Sequence, residues 1–127
     1  MDHNPEIICW NVRGLNNPAK RKVVREFLSS LRVNLVCLQE TKLDIVDQFM
    51  VMQCLGPSYD GFYYLPASDT RGGIFVAWDS MKFQLTNFVN DTNFTTGYVS
   101  PLEGPSWWLT VVYGPQEDAQ KIIFWKS

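Results

Sequence analysis

Two apolar runs of strand length, Ile7-Ile8-Cys9-Trp10 and Leu35-Val36-Cys37-Leu38, flank a segment with helical periodicity. This order narrows the fold more than any other feature of the chain. In the intervening segment Asn17 is placed to cap a helix and Pro18 to occupy its first position. Val23, Val24, Phe27, Leu28 and Leu31 follow at helical spacing and form one apolar face. Strand, helix and strand joined at this length imply a parallel pair with a right-handed crossover, and so an α/β domain.

The rest of the chain has a different texture. Residues 43–55 read as a second helix, ended by Gly56-Pro57. Phe62 to Leu65, Ile74 to Trp78, Phe83 to Asn90, Thr96 to Leu102 and Trp107 to Tyr113 are strand-like and separated by Gly, Pro, Asp and Asn turns. Their short links favour antiparallel pairing. Gly114-Pro115 stops the last of them, and Gln116 to Lys126 reads as a helix with Ala119, Ile122 and Ile123 on one face. The expected architecture is a mixed sheet with helices on at least one face, in one domain.

Composition removes several classes of function. Hydrophobic residues make up 46% and aromatic residues 14% of the 127 positions, which excludes a disordered tail. The apolar runs fall far short of the ~20 residues of a spanning helix. The opening Met-Asp-His-Asn-Pro-Glu lacks the basic and apolar regions of a signal peptide, so the expectation is an intracellular chain with no membrane partner. Cys9, Cys37 and Cys54 have no CxxC spacing, and the first two are expected to be buried, reduced thiols. Without a secretory signal the two sequon matches at Asn90 and Asn93 have no assigned role. There is no Gly-x-Gly-x-x-Gly after the first strand and no Walker loop, which argues against a nucleotide-binding fold.

The net charge of −2 conceals an asymmetry. Residues 1–42 hold seven basic and four acidic side chains, whereas residues 43–127 hold four and nine. Arg13, Lys20, Arg21, Lys22, Arg25 and Arg32 gather near the end of the first strand. They form either a patch that steers a polyanion or a solvated helix face.

Three of the apolar runs stop on a polar side chain: Asn11, Glu40 after Gln39, and Tyr113. Strand carboxyl ends converge on one crevice in open α/β sheets. A carboxylate there suits Mg²⁺, which takes oxygen ligands, keeps several waters, and can polarise a phosphoryl oxygen. Asn11 can hydrogen-bond the carboxylate, a metal-bound water or the phosphate, and Tyr113 can donate to a phosphate oxygen. Each residue also has an ordinary reading: Asn11 capping a turn, Glu40 paired with Lys42 or Arg13, Tyr113 on the rim. The Gly72-Gly73 step after Arg71 reads as a tight turn or as a close approach of backbone to a ligand. Of Trp107 and Trp108, period-2 alternation sends one ring to each face. His3 reads as exposed and inert, and Asp44 and Asp47 as helix-surface residues without a role.

Cys9-Trp10-Asn11-Val12-Arg13-Gly14-Leu15-Asn16, Val36-Cys37-Leu38-Gln39-Glu40-Thr41-Lys42, Arg71-Gly72-Gly73-Ile74 and Val111-Val112-Tyr113-Gly114-Pro115 resemble, in this order, the endonuclease/exonuclease/phosphatase superfamily. The likeness is greatest to the AP-endonuclease-like domain of plant LINE-type (non-LTR) retrotransposons. The resemblance implies a four-layer α/β sandwich, two sheets face to face with helices outside, of which residues 1–127 are the amino-terminal half. It also implies Mg²⁺-dependent (or Mn²⁺-dependent) phosphodiester cleavage of DNA by an activated water, leaving a 3′-hydroxyl that can prime reverse transcription, and a nuclear site of action. Carried over by motif, Glu40 matches the principal metal ligand, Asn11 the supporting amide and Tyr113 the phosphate-contacting tyrosine. Arg13, Lys42 and Arg71, which lie within the quoted motifs, are the candidate DNA contacts.

Such domains continue with an Asp-x-Asn motif and a Ser-Asp-His motif, and neither follows Tyr113 in these 127 residues. Little or no nuclease activity is therefore expected of this stretch alone. An open sheet face, prone to self-association, is expected where a second half would pack. Two other readings remain: a superfamily phosphoesterase acting on lipid or RNA, and a non-enzymatic module that pairs through that open face.

Overall fold

The computed structural model describes residues 7–31, 33–68, 72–91 and 94–112, together with the backbone of 121–126. In chain order the elements are β1 (Ile7–Asn11), α1 (Pro18–Ser29), β2 (Leu35–Gln39), α2 (Gln48–Leu55), β3 (Gly61–Leu65), β4 (Ile74–Trp78), β5 (Phe83–Asn90), β6 (Phe94–Pro101), β7 (Trp107–Val112) and β8 (Lys121–Lys126). They form two four-stranded sheets, ordered β1-β2-β4-β3 and β5-β6-β7-β8. The crossover through α1 makes β1 and β2 parallel, with Ile7 opposite Leu35 and Asn11 opposite Gln39. All other pairings are antiparallel.

Alternation on β2 and β4 explains the layering. Val36, Leu38, Phe75 and Ala77 point to one side and pack with Val24 and Leu28 of α1 and Val51, Cys54 and Leu55 of α2. Leu35, Cys37, Ile74, Val76 and Trp78 point to the other side and meet Phe83, Leu85, Val99, Leu109 and Val111 of the second sheet. All ten residues of β2 and β4 are buried, as expected of central strands covered on both faces. The layers are helix, sheet and sheet: an α/β architecture that matches part of a four-layer sandwich with helices outside.

Several expectations are corrected. The strands from Phe83 onward do not extend the first sheet but form a second one, packed against it. The second sheet covers one face of the first, and α1 and α2 cover the other. The helix expected over Gln116 to Lys126 is instead a strand at Lys121–Lys126, paired with β7 from Lys121↔Val112 to Lys126↔Trp107; residues 116–120 lie outside the described residues. The run Ile-Ile-Phe-Trp is β-branched and aromatic, and an available sheet edge selects the extended form. The second helix starts at Gln48 rather than at residue 43, because Asp47 accepts a hydrogen bond from the amide of Met50 (2.9 Å) and caps it. Asp47 therefore does have a role.

On α1 the cap is as expected: Asn17 accepts from the amide of Ala19 (2.9 Å), with Pro18 in the first position. Only part of its apolar stripe is used, however. Val24 and Leu28 are buried while Val23, Phe27 and Leu31 are exposed, Phe27 meeting Trp10 edge-on. Cys9, expected inside, is exposed because β1 is an edge strand. Trp107 packs toward the inter-sheet core and Trp108 against Tyr98 on the outer face, so the expected split holds. Among the described residues no helix is long and apolar enough to cross a membrane.

Candidate active site

At the carboxyl ends of β1 and β2, Nδ2 of Asn11 donates a 2.9 Å hydrogen bond to Oε2 of Glu40. Simple alternation would not produce this contact. Asn11 is the register partner of Gln39, so Glu40, one residue further, would turn toward the helices. Instead Glu40 takes a left-handed conformation with φ of 55°, and Arg13 and Lys42 do the same at 56° and 62°. Such conformations cost about 1–3 kcal/mol each for residues with a side chain and persist only where neighbours over-determine them.

The neighbours are backbone. The amides of Val12, Gly14 and Leu15 donate to the carbonyls of Gln39, Glu40 and Thr41 at 3.0, 2.7 and 2.8 Å. From the opposite side, Thr41 and Lys42 donate to the carbonyls of Gly73 and Gly72 at 3.3 and 2.6 Å. The segment 39–42 is thus laced into the loops on both flanks. A Cβ on Gly72 would lie 3.0 Å from both Cα and Cγ of Glu40, and one on Gly73 would lie 2.7 Å from Oγ1 of Thr41. The two glycines therefore allow a close backbone approach, and what they approach is the site strand itself. Neither the turn nor the ligand reading of Gly72-Gly73 captures this. A glycine pair just before a buried strand was the signal in the sequence, but its target is set by tertiary pairing.

The basic cluster divides into two groups. Lys20 donates to the carbonyl of Val12 (2.6 Å), Arg21 to those of Leu15 (2.7 Å) and Asn16 (3.1 Å), and Arg25 to that of Gln53. These three cations brace the loop after β1 and tie α1 to α2. Arg13 and Lys42 are exposed, in the loop after β1 and the segment after Glu40, and Lys22 is exposed on α1. Asn16 holds the Lys42 carbonyl at 2.8 Å. Arg32 and Arg71 lie outside the described residues, as do His3 and Tyr113. The end of β7 at Val112 pairs with Phe94, and the order of antiparallel turns puts it at the same end of the sandwich as Asn11 and Glu40.

The chemistry available here is that of oxygen donors. Asn11 occupies Oε2 of Glu40 and leaves Oε1 without a hydrogen bond among the described residues, a donor suited to a hard cation that retains most of its waters. No group of three or more His, Cys, Asp or Glu gathers among the described residues, and Glu40 is the one carboxylate described at these strand ends. Thiolate chemistry is disfavoured: burial pushes the Cys9 and Cys54 thiols up to about 11, and Cys37, also raised by burial, is fully enclosed. These cysteines stay protonated at neutral pH.

The sequence profile of the Endonuclease/Exonuclease/phosphatase family matches residues 8–123. The chain belongs to that family. Among solved structures it is similar to the crystal structure of the AP endonuclease LMAP from Leishmania major, at 25% identity and a TM-score of 0.55. That match covers 86% of this chain and 40% of the other, so the chain spans less than half of the endonuclease it resembles. No curated protein matches it. As a member of the endonuclease/exonuclease/phosphatase family, the chain carries its Asn11–Glu40 pair within the matched region.

Proposed function

We propose that residues 1–127 are the amino-terminal part of a Mg²⁺-dependent DNA endonuclease domain of the kind found in plant LINE-type retrotransposons. The observation that carries the reading is the Asn11–Glu40 hydrogen bond, made between the ends of two different strands within the family match. In this reading Glu40 is the metal ligand through Oε1, and Asn11 holds the carboxylate in place. The ion, when bound, polarises the phosphoryl oxygen and stabilises the leaving oxygen. Tyr113 donates to a phosphate oxygen, and Arg13, Lys42 and Arg71 contact the DNA backbone on either side of the scissile bond.

A general base and a phosphate-binding histidine are not supplied by the 127 residues. Each such group typically contributes about 10²- to 10⁴-fold, so this polypeptide by itself binds a divalent ion weakly and does not cleave. Its incubation with supercoiled plasmid and Mg²⁺ is the direct test: no nicking is expected, and nicking that disappears in Glu40→Gln would overturn the claim of inactivity. Isothermal titration with Mn²⁺ tests the metal role, with binding expected for the wild type and lost in Glu40→Gln. Genomic sequence beyond codon 127 tests the origin. Asp-x-Asn and Ser-Asp-His motifs followed by reverse-transcriptase coding sequence support it, and flanking sequence without a reverse transcriptase removes the retrotransposon assignment.

A further inference from the structure

Two buried polar atoms on the same face of β1 and β2 have no partner among the described residues: Nε2 of Gln39 and Oδ1 of Asn11. Gln39 is only 6% exposed and is the register partner of Asn11. Both side chains extend toward the second sheet, on the face that carries Ile7 and Leu35. One atom is a donor and the other an acceptor. Buried amide groups without partners are rare and costly, so complementary atoms on adjacent strands call for a shared partner. A single group that accepts from Nε2 and donates to Oδ1 satisfies both, and a buried water is the smallest that can.

We propose that Gln39 is a positioning residue of the site. Its Nε2 donates to a buried water, the water donates to Oδ1 of Asn11, and the Asn11 amide is thereby held with Nδ2 toward Glu40. The orientation matters because the two ends of an amide are nearly equal in shape and opposite in hydrogen bonding. Turned over, Asn11 would present Oδ1 to a carboxylate oxygen and repel it. Gln39 therefore selects, through Asn11, the position of the carboxylate. The purpose of that positioning rests on the metal-site reading of Glu40, but the hydrogen-bond chain itself can be tested without metal or DNA.

The experiment is NMR on the ¹⁵N-labelled 127-residue chain in metal-free buffer. In the wild type, the side-chain amide protons of Gln39 show cross-relaxation to a long-lived water, and those of Asn11 exchange slowly. Gln39→Met keeps the length and removes the donor; Asn11 protection is expected to fall at least tenfold and the melting temperature by about 4 °C or more. Gln39→Leu, which likewise lacks the donor, is expected to lower Asn11 protection as Gln39→Met does. A Gln39→Met chain that melts above the wild type, or Asn11 exchange unchanged in either variant, overturns the proposal. If neither variant folds, the wild-type water cross-peak decides it, and its absence overturns the proposal. Failure of the wild type to bind Mn²⁺ would instead overturn the metal-site reading and leave the Gln39–Asn11 chain standing.

Discussion

Gly72 lies against Glu40 so closely that a methyl group on it would stand 3.0 Å from both Cα and Cγ of the glutamate. The contact is to backbone and to the root of a side chain, neither of which can swing aside as a flexible tip would. The Gly72 carbonyl also accepts from Lys42, so the loop cannot retreat without losing that bond. Gly72→Ala should therefore shift Glu40 and cost about 1–3 kcal/mol. Urea unfolding measures the loss, and Mn²⁺ titration should show weaker binding than the stability loss alone explains. Unchanged metal affinity with reduced stability would mean that the glycine serves the fold and not the site.

A second glycine has no bearing on the site and supplies a control. A Cβ on Gly61 would run into Nε1 and Cε2 of the buried Trp78 ring. Trp78 packs in the core between the sheets, and its ring is stacked near Phe88. Gly61→Ala is expected to destabilise the fold by about 3 kcal/mol, read by urea titration of tryptophan fluorescence. Mn²⁺ affinity of the fraction that remains folded should match that of the wild type.

The cations near β1 should separate into two phenotypes. Arg21 donates to two loop carbonyls, so Arg21→Ala should lower stability by about 1–2 kcal/mol. Lys22 is exposed, and Lys22→Ala should fall within about 0.5 kcal/mol of the wild type. Arg13→Gln and Lys42→Gln should each weaken DNA binding uniformly across sequences and reduce the salt slope by about one. Fluorescence anisotropy over a salt series reads these slopes, and an unchanged slope in either variant would remove that residue from the DNA contacts.

Cysteine reactivity should follow burial of the thiol. Cys9 is exposed as a residue, yet burial of its thiol pushes it up to about 11. Its alkylation by iodoacetamide at pH 8 should be roughly a hundredfold slower than that of free cysteine, rising about tenfold per pH unit. Because the folded pKa exceeds the unfolded one, the thiol's contribution to stability is present below about pH 8.5 and is lost as pH rises through about 11. Cys37, fully buried, should label only on unfolding. Mass spectrometry of timed digests distinguishes the three cysteines.

What local chemistry could decide was legible in the chain. The Asn17-Pro18 start, the crossover between β1 and β2, the limits of β4 and β5, and the antiparallel run that follows all depend on caps, periodicity and turns within a few residues. Asn11 and Glu40, which the structure brings into contact, were legible as polar ends of apolar runs, and the family through four short motifs in order. Errors arose where local signals compete with distant partners. Ile122 and Ile123 fit a helical face as well as a strand, and pairing with β7 settled it. The stripe on α1 was read whole, although only Val24 and Leu28 are buried in the fold and Val23, Phe27 and Leu31 are exposed.

By itself, the sequence determined the elements from β1 to β7, the parallel β1–β2 pair and the identity of the polar groups at its ends. Tertiary structure alone decided how those groups meet. Strand alternation carries Glu40 away from Asn11, and only the left-handed turn at Glu40, laced by Gly14 on one side and Gly72 and Gly73 on the other, brings carboxylate and amide to 2.9 Å. That turn depends on hydrogen bonds between segments about thirty residues apart, which no local propensity encodes.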